Sequence, residues 1–330
     1  MNKKRWTALG LCIAILIVSF VIDATGRTEK MFFAEEEWEE VMLESGSESV
    51  VAVLEVSGVI TARDTSGVFD EQEYHHDSFL KRLESVYENE DVKAIVLYVN
   101  SPGGGVSESD EIFQRIMSLK NENEKPLVVF MDQVAASGGY YIAAPADHIM
   151  ATRNTITGSI GVIMQSINLH QLAENWGVED ATIKSGELKD LMNPLRNMEE
   201  EEREVMQSII DEMHQFFVEA IVEGRGMDLE KVEKLADGRI FSGSQALQNG
   251  LVDSLGRFED AVEKAKMISG NEDATVLILR QRSAFSWQHF LNGNQRLTML
   301  EHLFLNHSSP RYPMPISTEH YPTPMYLWTY

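Results

Sequence analysis

Apolar positions in this chain fall in short unbroken runs, separated by glycine-rich turns and by stretches of helical period. VVAVLEV (50–56), KAIVLYV (93–99) and PLVVFMD (126–132) carry apolar, mostly β-branched side chains at nearly every position. That density predicts strands covered on both faces, because a half-exposed strand alternates instead. Around Phe79 to Tyr87 the pattern turns helical. SESDEIFQRIMSLK predicts a second helix, with Ile112, Ile116 and Leu119 on one side and a capping box at Ser107 and Asp110. QVAASGGYYIAAPA is expected to form a turn and a helix after the third strand. Strand, turn and helix in repeated succession predict an α/β fold with right-handed crossovers.

Further along, HIMA (148–151) and SIGVIM (159–164) read as short strands and NLHQLAENWG as a helix. Residues 199–223 predict the longest helix. Glu199 to Glu202 suit its positive N-terminus, and Val205, Ile209, Met213, Phe216 and Phe217 form an apolar stripe expected to face the core. ATVLILR (274–280) predicts the last strand. The folded domain is therefore expected over 50–280 and a C-terminal extension over 281–330, with five prolines from residue 306 onward. Residues 23–49 are acidic and loosely patterned, and are expected to hold a short helix and a linker. No tandem repeat is visible.

The first residues add a membrane expectation. WTALGLCIAILIVSFVI, Trp6 to Ile22, is free of charge and follows Lys3, Lys4 and Arg5. Seventeen apolar residues can just cross a bilayer, and a basic segment at 1–5 would stay cytoplasmic, placing the rest outside. A cleaved signal peptide is the competing reading, although Ile22, Asp23 and Ala24 match its small-residue cleavage site poorly.

Composition narrows the chemistry. With 330 residues, 43% of them hydrophobic, the chain can bury a sizeable core. Its formal charge of −24, from 52 acidic and 28 basic residues, argues against nucleic acid as a partner. Cys12 is the only cysteine, so an intrachain disulfide is impossible and a thiolate zinc site is set aside.

Two glycine turns, NSPGGG (100–105) and the one around Ser137, each follow a strand and open a helix. Ligands of such sheets collect at the carboxyl ends of the strands, where helix N-termini present free amides. Gly103, Gly104 and Gly105 leave room for a carbonyl to approach. Ser137 could then be a nucleophile, with its own amide and one from the glycine turn as an oxyanion hole. A phosphate cradle is the alternative, but GxxxxGK[ST] is missing. A serine needs a base. His75, His76, His148, His170 and His214 carry no local signature, which leaves a lysine held neutral by burial as the other option. Tyr140 and Tyr141 are open to two roles, groove wall or helix packing.

NSPGGG, DQVAASGGYYIA (132–143), TGSIGV (157–162), IKSGELKD (183–190) and GRIFSGSQALQNGLVDSLG (238–256) together resemble, in this order, the bacterial signal peptide peptidase SppA family, also called protease IV. The resemblance spans about Val50 to Ile268. It implies a fold of the Clp protease and crotonase group and a serine endopeptidase with a Ser-Lys dyad, needing no metal or organic cofactor. Ser137 matches the nucleophile and Lys189 the general base, with Lys184 a decoy in the same stretch. Ser159 matches the serine that orients the lysine, and Gly104 the oxyanion glycine.

Long relatives carry two copies of the domain and this chain carries one. The resemblance thus implies a homo-oligomeric ring, an octamer, with the dyad shared between subunits at the lipid bilayer of the cell membrane. Its substrates would be cleaved signal peptides and other apolar peptides. The rival readings are a crotonase-type acyl-CoA enzyme and a non-catalytic membrane scaffold. A lysine base must shed its proton, so carboxylates should be kept from it; Asp190, its neighbour, is expected to point elsewhere and the pH optimum to be alkaline. The C-terminal extension, tethered near the groove, could fill it as substrate or plug, or stay free.

Overall fold

The computed structural model describes residues 38–62, 74–281 and 325–327. The expected anchor at 6–22 and most of the C-terminal extension lie outside them. No helix among the described residues is long and apolar enough to cross a membrane.

The three dense apolar runs are strands: β2 (Ser47–Ser57), β3 (Val92–Ser101) and β5 (Leu127–Ala136). They lie side by side and parallel, Val53 opposite Val96 and Val96 opposite Val128. The sheet continues outward on both sides, in the order β1 (Trp38–Glu44), β10 (Ala274–Gln281), β2, β3, β5, β6 (His148–Ala151), β9 (Ser254–Leu255). β1 runs antiparallel to β10. The acidic stretch expected as helix and linker therefore supplies an edge strand, held by Trp38 in the core and by Val41 against it.

Both faces are covered, as the unbroken runs require. Val51, Val53, Val96, Val128 and Phe130 pack on Ala261, Val262 and Ala265 of a C-terminal helix (Phe258–Ser269). On the other side lie α1 (His76–Glu88) and α2 (Val106–Glu122), which bury Phe79, Leu83, Ile112, Phe113 and Ile116. Each such side chain contributes about 1.5–3 kcal/mol on burial.

Four local expectations fail for tertiary reasons. Gly103–Gly105 is not a plain turn but a short strand, β4, that runs straight into α2. The N-cap of α2 is accordingly Gly105, and Ser107 lies inside the helix instead of capping it. β5 continues through Val134, Ala135 and Ala136 because these pair with Ile156, Thr157 and Gly158 of β7 (Ile156–Gly158). After Ser137 the chain forms a helix of only four residues, α3 (Gly138–Tyr141). The strand expected at 159–164 lies instead at β7, which also pairs with β8 (Ile240–Ser242) and ends where Ser159 adopts a positive φ.

Beyond β7 come α4 (His170–Trp176), a 3-10 turn (Glu187–Asp190) and α5 (Glu200–Arg225). The apolar stripe of α5 reaches the core only near its end, through Phe217, Val218 and Ile221; Phe216 is about half exposed at 49%.

Candidate active site

β3 and β5 are adjacent and parallel, so the turns at their ends leave the sheet at the same edge. Ser137 stands at the end of β5 with φ 54° and ψ −118°, a conformation that non-glycine residues seldom adopt. Such a kink costs about 1–3 kcal/mol and survives only where neighbours impose it. Here they do: the Ser137 N–H donates to the Gly158 carbonyl at 2.7 Å, and its own carbonyl accepts the amides of Tyr140 and Tyr141 at 2.9 Å. The residue is 1% exposed, and its Oγ has no hydrogen-bond partner among the described residues. A buried, unpaired hydroxyl at a strained strand-to-helix corner is costly for stability and well suited to a nucleophile.

The glycine turn closes against this corner. Gly103 and Gly105 turn their polar groups to Ile60, whose N–H donates to the Gly103 carbonyl at 2.9 Å and whose carbonyl accepts the Gly105 N–H at 2.8 Å. Strand alternation then points the Gly104 amide to the opposite edge. A side chain at Gly104 would meet the Ile60 oxygen at 1.8 Å, so only glycine fits there. At Gly138 a Cβ would come within 3.1 Å of the Gly104 nitrogen and 2.5 Å of Ser109 Oγ, which shows how closely the two turns approach.

The Ser137 amide, expected as an oxyanion donor, is engaged within the sheet. Ser137 cannot lend its own amide to an oxyanion in this arrangement, because the β5–β7 pairing has already used it. The first amides of a helix lack intrahelical partners. Those of Gly138 and Gly139 open α3, next to Ser137.

The free edge of β4 is occupied by the chain itself. Residues Met325–Leu327 form β11, antiparallel to β4, with Tyr326 opposite Gly104 and Leu327 opposite Gly103. β11 also approaches α2 and α3.

Ser159 is brought to the site. Ala136 and Gly158 are paired in the β5–β7 register, so Ser137 and Ser159 succeed one another across neighbouring strand ends. Both have positive φ, 54° and 50°, and Ser159 is only 8% exposed. Lys189 is not joined to them within one chain. It sits exposed on the 3-10 turn, and its amine makes no hydrogen bond or ion pair among the described residues. Asp190 does point elsewhere. Its carboxylate accepts Lys184 Nζ at 2.7 Å and Arg196 at 2.9 Å through both Nε and a terminal nitrogen. These bonds hold its pKa well below the usual carboxylate range.

Histidines are engaged in structural contacts. His76 lies buried between Tyr74 at 2.6 Å and Glu111 at 3.0 Å, while His148 meets Ser254, His170 the Leu195 carbonyl and His214 the Ala236 carbonyl. Tyr140 and Tyr141 pack rather than line a groove. Their hydroxyls donate to the Leu251 carbonyl and to Asp110, and the Tyr141 ring meets Phe113 edge-on and Phe217 at a tilt. Among the described residues no cluster of His, Cys, Asp or Glu could hold a metal.

A strained, buried serine beside a glycine strand, at the carboxyl edge of a parallel sheet, belongs to a serine hydrolase of the α/β type. Comparison with known proteins makes the assignment specific. The Peptidase family S49 profile matches residues 119–271. A protein of Enterococcus faecium that carries the name signal peptide peptidase SppA is 41% identical over 84% of this chain and 84% of its own length. A Synechocystis protease is 36% identical over 85% of this chain and 95% of that one. Protease 4 of Haemophilus influenzae shares 34% identity over 75% of this chain, which spans 38% of that longer protein. The chain belongs to peptidase family S49 and is an SppA-like serine peptidase. The acyl-CoA and scaffold readings fall away with that membership.

Proposed function

We propose that the protein is a membrane-anchored serine endopeptidase that degrades cleaved, apolar signal peptides, with Ser137 as nucleophile and Lys189 as general base. The observation that carries it is the Ser137 hydroxyl: buried, without a partner, and set on a strained corner beside Gly104. Ser137 Oγ attacks the scissile carbonyl and passes its proton to the lysine amine, forming a tetrahedral intermediate. The amides of Gly104 and Gly138 steady its oxyanion. Collapse expels the amine product, which takes the proton from the lysine, and water then cleaves the acyl-enzyme.

The substrate lies extended along β4, adding a strand through main-chain hydrogen bonds. β11 occupies that edge in this chain and supports this mode. It also makes the C-terminal extension an internal competitor.

Lys189 comes from a second copy in a ring, the octamer that the resemblance implies, and Ser159 orients its amine. Two observations favour sharing. Ser137 and Lys189 stand buried and exposed, respectively, in the single chain. The arm leading to Lys189 exposes Ile163, Ile167, Leu172, Trp176, Val178 and Ile183, the last fully. An apolar series of this kind marks an association surface.

A serine-directed acylating probe tests the reading. The assembled protein is expected to take up one label per active chain, at Ser137 by peptide mapping, with parallel loss of peptidase activity. Labelling elsewhere with activity intact would refute it.

A further inference from the structure

The segment carrying Lys189 is held by one guanidinium. Arg196 donates to Asp190 Oδ2 and Oδ1 at 2.9 Å each, and to the Asp190 carbonyl at 3.1 Å. It also donates to Glu202 Oε2 at 2.7 Å, to Glu202 Oε1, and to the Asn197 carbonyl at 3.2 Å. Glu202 is nearly buried, its side chain 3% exposed, and sits in the first turn of α5, where it also accepts the Glu199 amide at 2.8 Å. The guanidinium therefore ties the 3-10 turn to the start of the longest helix. Lys184 closes the other side of the loop, donating to Asp190 at 2.7 Å and to the Glu187 carbonyl at 2.8 Å. Asn193 bridges Asp190 to Asp180.

Two cations and two carboxylates pair in this clamp, with a third carboxylate attached. Lys184 and Arg196 stand against Asp190 and Glu202, with Asp180 attached through Asn193, while the Lys189 amine pairs with none of them. An unpaired carboxylate adjacent to a lysine favours its charged form, which cannot accept a proton. A bidentate fork removes that carboxylate and fixes the backbone at once, which a lysine in place of Arg196 could not do.

We propose that Arg196 is a positioning residue for Lys189: it clamps the turn bearing the lysine to the N-terminus of α5 and occupies the carboxylates of Asp190 and Glu202, keeping both from the lysine amine. The inference rests on the reading of Lys189 as general base.

The test uses the full-length assembled protein and a peptide substrate, with pH–rate profiles for Arg196→Gln, Asp190→Asn, the Arg196→Gln/Asp190→Asn double variant and Lys189→Ala. In Arg196→Gln, kcat should fall about tenfold or more with KM within about twofold, and the pH of half-maximal rate should rise by about one unit. The double variant should bring that midpoint part of the way back, because the freed Asp190 carboxylate, next to the lysine, is gone and only that of Glu202 remains. Arg196→Gln with the wild-type midpoint, or a double variant that keeps the raised one, would overturn the proposal. Should Arg196→Gln fail to fold by thermal unfolding, Asp190→Asn decides: its midpoint is expected to move to lower pH, and an unmoved midpoint overturns the clamp. An active Lys189→Ala chain would instead overturn the reading underneath, whatever Arg196 does.

Discussion

At the scale of single residues, Ser137 is held at a cost in stability, as the proposed nucleophile role requires. Its hydroxyl is buried without a partner, which costs about 1–3 kcal/mol. Ser137→Ala removes that cost while leaving the backbone strain unchanged. The variant should lose peptidase activity and yet unfold a few degrees higher, since about 1 kcal/mol corresponds to about 2–4 °C for a domain of this size. Calorimetry on the two proteins checks it; a lower midpoint would mean that the hydroxyl has a stabilising partner. Gly104 is constrained from the opposite side. A Cβ there would collide with the Ile60 oxygen, so Gly104→Ala must displace the amide proposed to face the substrate. Its kcat is expected to drop by about 10²–10³, the usual cost of losing one oxyanion donor, as steady-state assays of the folded variant would reveal.

At the scale of elements, the edge of β4 matters most. β11 lies on it in antiparallel register, and a tethered strand competes at an effective concentration in the millimolar range. Removing residues 321–330 should lower KM for short apolar peptides with kcat nearly unchanged, because the truncation removes a competitor and leaves the nucleophile alone. Kinetics of the truncated and full chains decide this, and an unaltered KM would show that β11 does not compete with substrate. The same edge explains one failure of sequence reading. Three glycines have low strand propensity, and GGG reads as a turn from composition. Pairing with Ile60 on one side and β11 on the other makes it a strand.

At the scale of the molecule, one chain holds Ser137, the glycine edge and Ser159 together and presents Lys189 outward. Mixed assembly is the direct measurement. Neither Ser137→Ala nor Lys189→Ala chains alone should be active, whereas particles assembled from both should recover activity, because some boundaries then pair an intact serine with an intact lysine. Inactive particles, with mixing confirmed by mass spectrometry, would place the whole dyad within each subunit.

What the sequence determined is what short-range pattern can encode. Dense β-branched runs at 50–56, 93–99 and 126–132 specify strands covered on both sides, because every side chain in them needs apolar contact. The small residues around Ser137 likewise specify a tight corner before any coordinate is known. The tertiary structure decided which groups are already engaged. The Ser137 amide is taken by Gly158, the Asp190 carboxylate by Arg196 and Lys184, and the β4 edge by a segment near the far end of the chain. Each of these is a hydrogen-bonding partnership set by sheet register or by loop closure. Hydrophobic periodicity reports which face of an element is buried, but it carries no record of which distant donor satisfies which acceptor.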